Sequence, residues 1–234
     1  MTPNGNLIVD DLRFELRRSA KRRSMEIVVE RDGELVLSAP DDVQDTQLRD
    51  FVQRKRMWIY RQLARHDALP EMAPRKVFTE GEGFSYLGRT YRLHLVGESD
   101  VAMKMTGGRF VMPKSLVQDG RELLVRWYIE RAKVWIGNKV VDFAARMEVA
   151  PAGIRVQDLG YRWGSCGKGD WLYFHWKSIL LPARIAEYIV VHEMAHLHEP
   201  HHTSEFWQRV ERAMPDFKLR QGWLNQHGHG VEGL

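Results

Sequence analysis

Hydrophobic and polar positions follow two textures along the chain. Between residues 12 and 40 the apolar residues come in short runs. Met25-Glu26-Ile27-Val28-Val29 leads into Asp32-Gly33, and Glu34-Leu35-Val36-Leu37-Ser38-Ala39-Pro40 comes next. Two such runs around an Asp-Gly step predict a hairpin. Over 45–66 the spacing changes: Leu48, Phe51, Val52, Met57, Ile59 and Leu63 recur at threes and fours, which predicts a helix. Leu69 to Pro74, with two prolines, reads as a connector. Residues 76–112 return to strand texture, in Phe84-Ser85-Tyr86-Leu87-Gly88 and Tyr91-Arg92-Leu93-His94-Leu95-Val96, and Gly107-Gly108 marks a tight turn. A long amphipathic helix comes next over 121–147, carrying Leu124, Trp127, Tyr128, Ala132, Ile136 and Val140, and Pro151 and Gly153 end it. Ile154 to Leu159 and Trp171 to Trp176 read as strands, and Gly164 to Gly169 as the glycine-rich turn between them. No internal repeat is visible. Strands and helices without regular βαβ order predict an α+β fold. The texture places a β-rich N-terminal subdomain at 1–115 and a second domain at 116–234, with a long backing helix and a small antiparallel sheet.

Composition narrows the classes. The chain has 234 residues, 44% of them hydrophobic and 28% charged, which excludes a disordered chain or a coiled-coil rod. No apolar run approaches the ~20 residues of a spanning helix, so no membrane role is expected. The N-terminus has no basic region followed by an apolar one, and the single Cys166 cannot pair internally; both lead to an expected cytoplasmic location. The formal net charge of +4 is too mild to announce a nucleic-acid binder. Two basic clusters, Arg17 to Arg23 and Arg54-Lys55-Arg56, read first as solvated faces and second as phosphate-contacting surface.

The chemistry concentrates in one helix. Pro182 to His198 is apolar around most of its circumference through Ile185, Ala186, Ile189, Val190, Met194 and Ala195. Such a helix is buried. It nevertheless carries His192, Glu193 and His196, and buried ionisable groups are costly unless paired. His192 and His196 stand at i and i+4, about 6 Å apart at Cβ, where two imidazoles can converge on one ion. Glu193 lies beside the first histidine and can reach a water on that ion without ligating it, the H-E-x-x-H pattern. A catalytic zinc takes a third protein ligand from outside the helix. His202, six residues after His196 and beyond the Pro200 break, is the leading candidate; His201, His198, Glu205 and Glu211 are the rivals. His227 and His229 lie in a glycine-rich tail and read as disordered. Thr203 reads as the N-cap of a last helix over 204–214. The 192/196/202 spacing equals that of metzincins, but Glu199 stands where that pattern has glycine, so the spacing implies no kinship. The competing reading is a set of satisfied surface histidines. With 10 histidines, H-E-x-x-H arises by accident on the order of a few per cent of the time.

The chain also resembles the YgjP-like metallopeptidases, relatives of the SprT/Spartan zincins. The residues that carry the resemblance are Arg162-Trp163-Gly164-Ser165-Cys166, His175-Trp176-Lys177-Ser178-Ile179-Leu180, Tyr188 through Leu197, and His202-Thr203-Ser204-Glu205-Phe206-Trp207. It is close over the last ~90 residues and weaker before them. It implies a minimal zincin-like catalytic domain, with zinc on His192, His196 and His202, Glu193 as general base, and a protein or peptide substrate. His201 stands where the family commonly has asparagine. Two alternatives stay open: a metal-stabilised module that docks on protein or DNA with little catalysis, and a hydrolase of non-peptide amides. The turn over 162–166 reads as packing under the active-site helix or as a cleft border to which an extended peptide adds.

Overall fold

The computed structural model describes residues 5–29, 34–67, 76–97, 102–160 and 162–231. It is a mixed α+β structure that divides into two compact units, Met1–Met72 and Ala73–Leu234.

In the first unit, β1 (Gly5–Val9), β2 (Leu12–Arg18), β3 (Glu26–Val29) and β4 (Leu35–Ala39) form a sheet in the order β1-β2-β4-β3. The outer pairs are antiparallel and the central β2/β4 pair is parallel. Period-two alternation sets the buried face: Leu12, Phe14 and Leu16 point inward while Arg13 and Arg17 point out. Strands β3 and β4 pair as the expected hairpin, with Ile27 opposite Leu37. Its Asp32-Gly33 turn lies outside the described residues, as do the connector prolines. Helix α1 (Asp45–Asp67) covers this sheet with Leu48, Val52 and Ile59. Met57, expected on the apolar face, is 66% exposed, because it sits two residues from Ile59 and so on the far side of the helix. Four side chains of the basic clusters are engaged: Arg17 pairs with Glu15, Arg18 with Asp45, Arg22 with Glu26, and Arg56 with Asp10.

The second unit opens with β5 (Gly83–Tyr86), β6 (Arg89–Val96), β7 (Lys104–Thr106) and β8 (Arg109–Pro113), in the order β5-β6-β8-β7. The sequence texture changes at 115/116, yet the compact units part at 72/73, because β5–β8 share a core with the long helix after them. That core runs along this helix, α2 (Gly120–Met147), whose Leu124, Tyr128, Ala132, Ile136 and Val140 recur every fourth residue. Tyr128 donates its hydroxyl to the Ser85 carbonyl at 2.6 Å, and Trp127 meets Phe110 edge-on. The helix stops at Glu148, which takes the left-handed conformation (φ 55°) and donates its N–H to the last turn.

The third sheet, β9 (Gly153–Gln157), β10 (Gly164–Cys166) and β11 (Trp171–His175), has the order β10-β11-β9. It is mixed rather than antiparallel: β11 runs parallel to β9 and antiparallel to β10. The segment expected as one turn over 164–169 begins with strand β10, whose glycine and small residues hide the strand signal. Helix α3 (Ala183–Ala195) is placed from its N-terminal side by the β5–β6 turn. Leu87 and Gly88 donate backbone N–H groups to the carbonyls of Ile179 and Leu180. Gly88 has φ +75°, and a Cβ there would lie 2.6 Å from Pro182 Cα, so only glycine fits. Helices α4 (Ser204–Ala213) and α5 (Phe217–His227) complete the unit. The tail expected to be disordered is thus helical: His227 lies in α5, with Nδ1 on the Trp223 carbonyl at 3.0 Å. No described helix is long and apolar enough to cross a membrane.

Candidate metal centre

Helix α3 presents His192, Glu193 and His196 at its C-terminal end. The helix proper ends at Ala195, and one further turn carries the chain to Glu199. His196 Nδ1 lies 2.9 Å from the Glu199 carbonyl. A carbonyl only accepts, so Nδ1 carries the ring proton and Nε2 offers its lone pair. The chain then reverses. Thr203 caps α4, its hydroxyl accepting from the Phe206 N–H at 3.3 Å, and this fixes His202 at the helix entrance. His202 Nε2 comes within 3.0 Å of His192 Nε2.

Among the described residues, His192, His196 and His202 are the His, Cys, Asp and Glu side chains that gather closely enough to share an ion, their ligand atoms lying within 4.8 Å of one another. Three nitrogens at about 2.0–2.1 Å from one zinc in tetrahedral geometry stand about 3.3 Å apart. The donor set suits a divalent cation. Two bare lone pairs at 3.0 Å repel unless a proton or an ion lies between them. Burial, and then the like charges of His196 and His202, push the His192 pKa down to about 3. Burial, with His196 and His201 beside it, lowers that of His202 as well. Neutral imidazole is the form that ligates. Nδ1 of His192 is enclosed and has no hydrogen-bond partner.

The rivals for the third position point elsewhere. His198 Nε2 lies 3.2 Å from the Met147 carbonyl, at the end of α2. His201 is exposed and outside the gathered group, and so are Glu205 and Glu211. His175 is buried under the sheet, where its Nδ1 accepts from the Lys177 N–H at 3.0 Å and its Nε2 faces Asp158 at 3.3 Å. Cys166 is a free thiol outside the group; burial raises its pKa, and Glu193 and Asp170 raise it further.

Glu193 is 6% exposed. Burial pushes its pKa up to about 8 against the opposing pull of Arg162. The carboxyl rests against β10: a Cβ on Gly164 would lie 2.6 to 2.8 Å from Glu193 Cγ, Oε1 and Cδ.

A family model described as "YgjP-like, metallopeptidase domain" matches residues 23–227. The chain belongs to this family. The protein is therefore a metallopeptidase, a hydrolase that uses a metal ion and acts on protein or peptide. No curated protein matches it. Among solved structures, the crystal structure of the metallopeptidase zymogen of Pyrococcus abyssi abylysin is similar at 24% identity, covering 42% of this chain and 89% of that one, with a TM-score of 0.30.

Several residues around the centre of this YgjP-like chain lie in the stretches that carry the resemblance, but the sequence assigns them no role. Fully buried Phe206 lies beneath all three imidazoles, with centroids 5.0, 4.6 and 4.8 Å from those of His192, His196 and His202. Trp207 stacks on His202 at 5.6 Å and on Phe217 at 5.5 Å, so the exposed ligand candidate lies flat on a two-ring pile. The available signal is their position just after the Thr203 cap, where the first turn of α4 must pass under His202. Gly164 lies in the 162–166 turn that carries the resemblance, but nothing in the sequence ties it to Glu193.

Proposed function

We propose that the protein is a zinc-dependent peptidase in which His192, His196 and His202 hold the ion and Glu193 serves as general base. The reading rests on one observation: three imidazoles gather with their ligand atoms within 4.8 Å of one another, and the helix that carries two of them also carries a buried carboxyl. The surrounding arrangement of a long helix α2, a three-stranded sheet and the H-E-x-x-H helix supports a minimal zincin-like catalytic domain within 116–234. The lone Cys166 suits a reducing compartment such as the cytoplasm.

A zinc ion bound by three neutral ligands keeps its double charge and supplies Lewis-acid activation of water and of a peptide carbonyl. The chain's own groups do the rest. Glu193 takes a proton from the attacking water at its carboxylate and returns it to the leaving amine. Its pKa, raised to about 8 without a cation, falls when a positive charge sits beside it, which brings the group toward the working pH of a base. Gly164 leaves room for that carboxyl and keeps it at the cleft wall. Strand β10 is an edge of its sheet, and an extended substrate can add to it by main-chain hydrogen bonds.

The test separates holding the ion from using it. Glu193→Gln should keep one zinc per chain and lower peptide turnover by about 10³-fold or more. His192→Ala and His196→Ala should each lose the zinc. Normal turnover by Glu193→Gln, or full zinc content in both histidine variants, would overturn the assignment.

A further inference from the structure

The first unit holds a feature that the peptidase reading does not use. A groove of about 230 Å³ is lined by Glu26 and Ile27 of strand β3 and by Phe51, Lys55 and Trp58 of helix α1. The three helical residues stand at i, i+4 and i+7 and share one face, beside the Leu48, Val52 and Ile59 stripe that holds α1 to its sheet. Strand β3 is an edge, since the order β1-β2-β4-β3 gives it β4 as its one neighbour. We propose that this groove docks an extended acidic segment of a partner protein, which adds to β3 as a fifth strand and lodges one large apolar side chain between Phe51 and Trp58. The proposal is independent of the peptidase reading, because no residue of the metal centre enters it.

Three observations carry it. The first is the backbone. An edge strand offers the outward N–H and C=O groups of alternate residues as a template for another strand. The 4 residues of β3 give about 13 Å of edge, and α1 rises about 10 Å from Phe51 to Trp58. The two walls match in length and take about four residues of an extended chain. The second is an indole outside the core. Trp58 is 43% exposed, makes no ring contact among the described residues and does not pack on the first unit's core. A cavity of roughly 150 Å³ holds a benzene ring, so the groove takes one side chain the size of phenylalanine. The third is charge. Arg54 and Arg61, four residues before and three after Trp58, neighbour it on the helix surface. Arg54, Lys55 and Arg61 are exposed and have no ion pair among the described residues. Glu26, the carboxylate on the groove, is already paired with Arg22 at 2.5 Å. The rim is therefore cationic, which selects acidic flanks and repels basic ones. A nucleic acid would use the charge and the indole but not the strand edge, so a peptide fits the whole of the groove.

The test uses the full chain carrying Glu193→Gln, so that no peptide is consumed, and a set of short fluorescein-labelled peptides read by polarisation. Each has a central Phe in a run of β-branched residues between Glu-rich flanks; the controls replace Phe by Ala, or the Glu flanks by Lys. The acidic Phe peptides should bind at least about 10-fold tighter than either control. N-methylation of one alternate set of peptide amides should weaken binding by about 10-fold or more, and of the other set by less than about threefold. Trp58→Ala should weaken binding about 10-fold and Lys55→Glu about fivefold, with thermal melts confirming that both variants fold. Equal binding of all the peptides, or binding unmoved by both variants, overturns the proposal. Binding that survives Trp58→Ala but is lost with chelator belongs to the metal centre; it overturns the groove and leaves the peptidase reading standing. Failure of every peptide to bind also overturns it, and Trp58-dependent capture of a single-stranded oligothymidine would then make this face a nucleic-acid surface.

Discussion

Strands β1–β4 and β5–β8 build two sheets of one design. Each has its second and fourth strands paired in parallel at the centre and antiparallel hairpin partners outside, and each leads into a long helix. No sequence repeat accompanies the match. The difference lies in what the helix then does. Helix α1 buries one stripe, Leu48, Val52 and Ile59, on its own sheet and turns Arg54, Lys55, Arg56 and Met57 to solvent. Helix α2 serves its sheet through Tyr128 and Trp127, and also packs on β9 and α3. The comparison teaches that this ββββα layout can enclose a core of its own, as it does in the first unit. It supports chemistry only where the helix has a further face against which an apolar, histidine-bearing helix can be buried.

The strongest challenge to that contrast is Phe206→Ala. Removing the ring beneath three histidines should cost about 3–5 kcal/mol of stability and also lower zinc affinity. Leu48→Ala in α1 should cost about 2–5 kcal/mol and leave cleavage per folded molecule unaltered. Zinc titration and chemical denaturation of both variants read this directly, and altered cleavage by folded Leu48→Ala would erase the distinction. Next in size is Gly164→Ala. Its methyl group has no space beside Glu193, so the carboxyl must move; cleavage should fall about 10- to 100-fold while stability drops by about 1–3 kcal/mol. Unchanged kinetics would show that Glu193 needs no such support.

A smaller effect concerns pH in the metal-free protein. His192 is held near 3 against an ordinary 6.5, so its contribution is present above 6.5 and lost as pH falls toward 3. Glu193 is held near 8 against 4.5, so its contribution is present below 4.5 and lost as pH rises toward 8. The two slopes cancel between 4.5 and 6.5, which predicts a plateau with a loss on the order of 2 kcal/mol on each side. Thermal melts with chelator across about pH 3–8 measure the profile. Glu193→Gln should remove the alkaline limb and turn the plateau between 4.5 and 6.5 into a rise, and added zinc should reverse the alkaline limb of the parent protein, because deprotonated ligands bind it. The smallest expected change is Thr203→Ala, about 1 kcal/mol from the lost cap, read by thermal melting.

Much of this was legible in the residues. The H-E-x-x-H helix declares itself because its message is local: a 3.6-residue period fixes which side chains share a face. The hairpin of β3 and β4 and the span of α2 are readable for the same reason. Spacing made His202 the leading partner for the pair but left His201, His198, Glu205 and Glu211 as rivals, because the reversal after Pro200 is not periodic. The parallel pairings of β2 with β4 and of β9 with β11 were not, since they depend on partners distant in the chain. Strand β10 was hidden by its glycine, and α5 by Gly222 and a sparse apolar stripe. The Phe206 floor and the Gly164–Glu193 contact are tertiary facts with no periodic trace.

The pile of Phe217, Trp207 and His202 also gives the molecule a built-in optical gauge. An indole lying face to face with a proposed ligand changes its emission when that imidazole is protonated or takes an ion. Loading of the centre can then be followed by light, with Trp207→Phe as the blank that silences the signal.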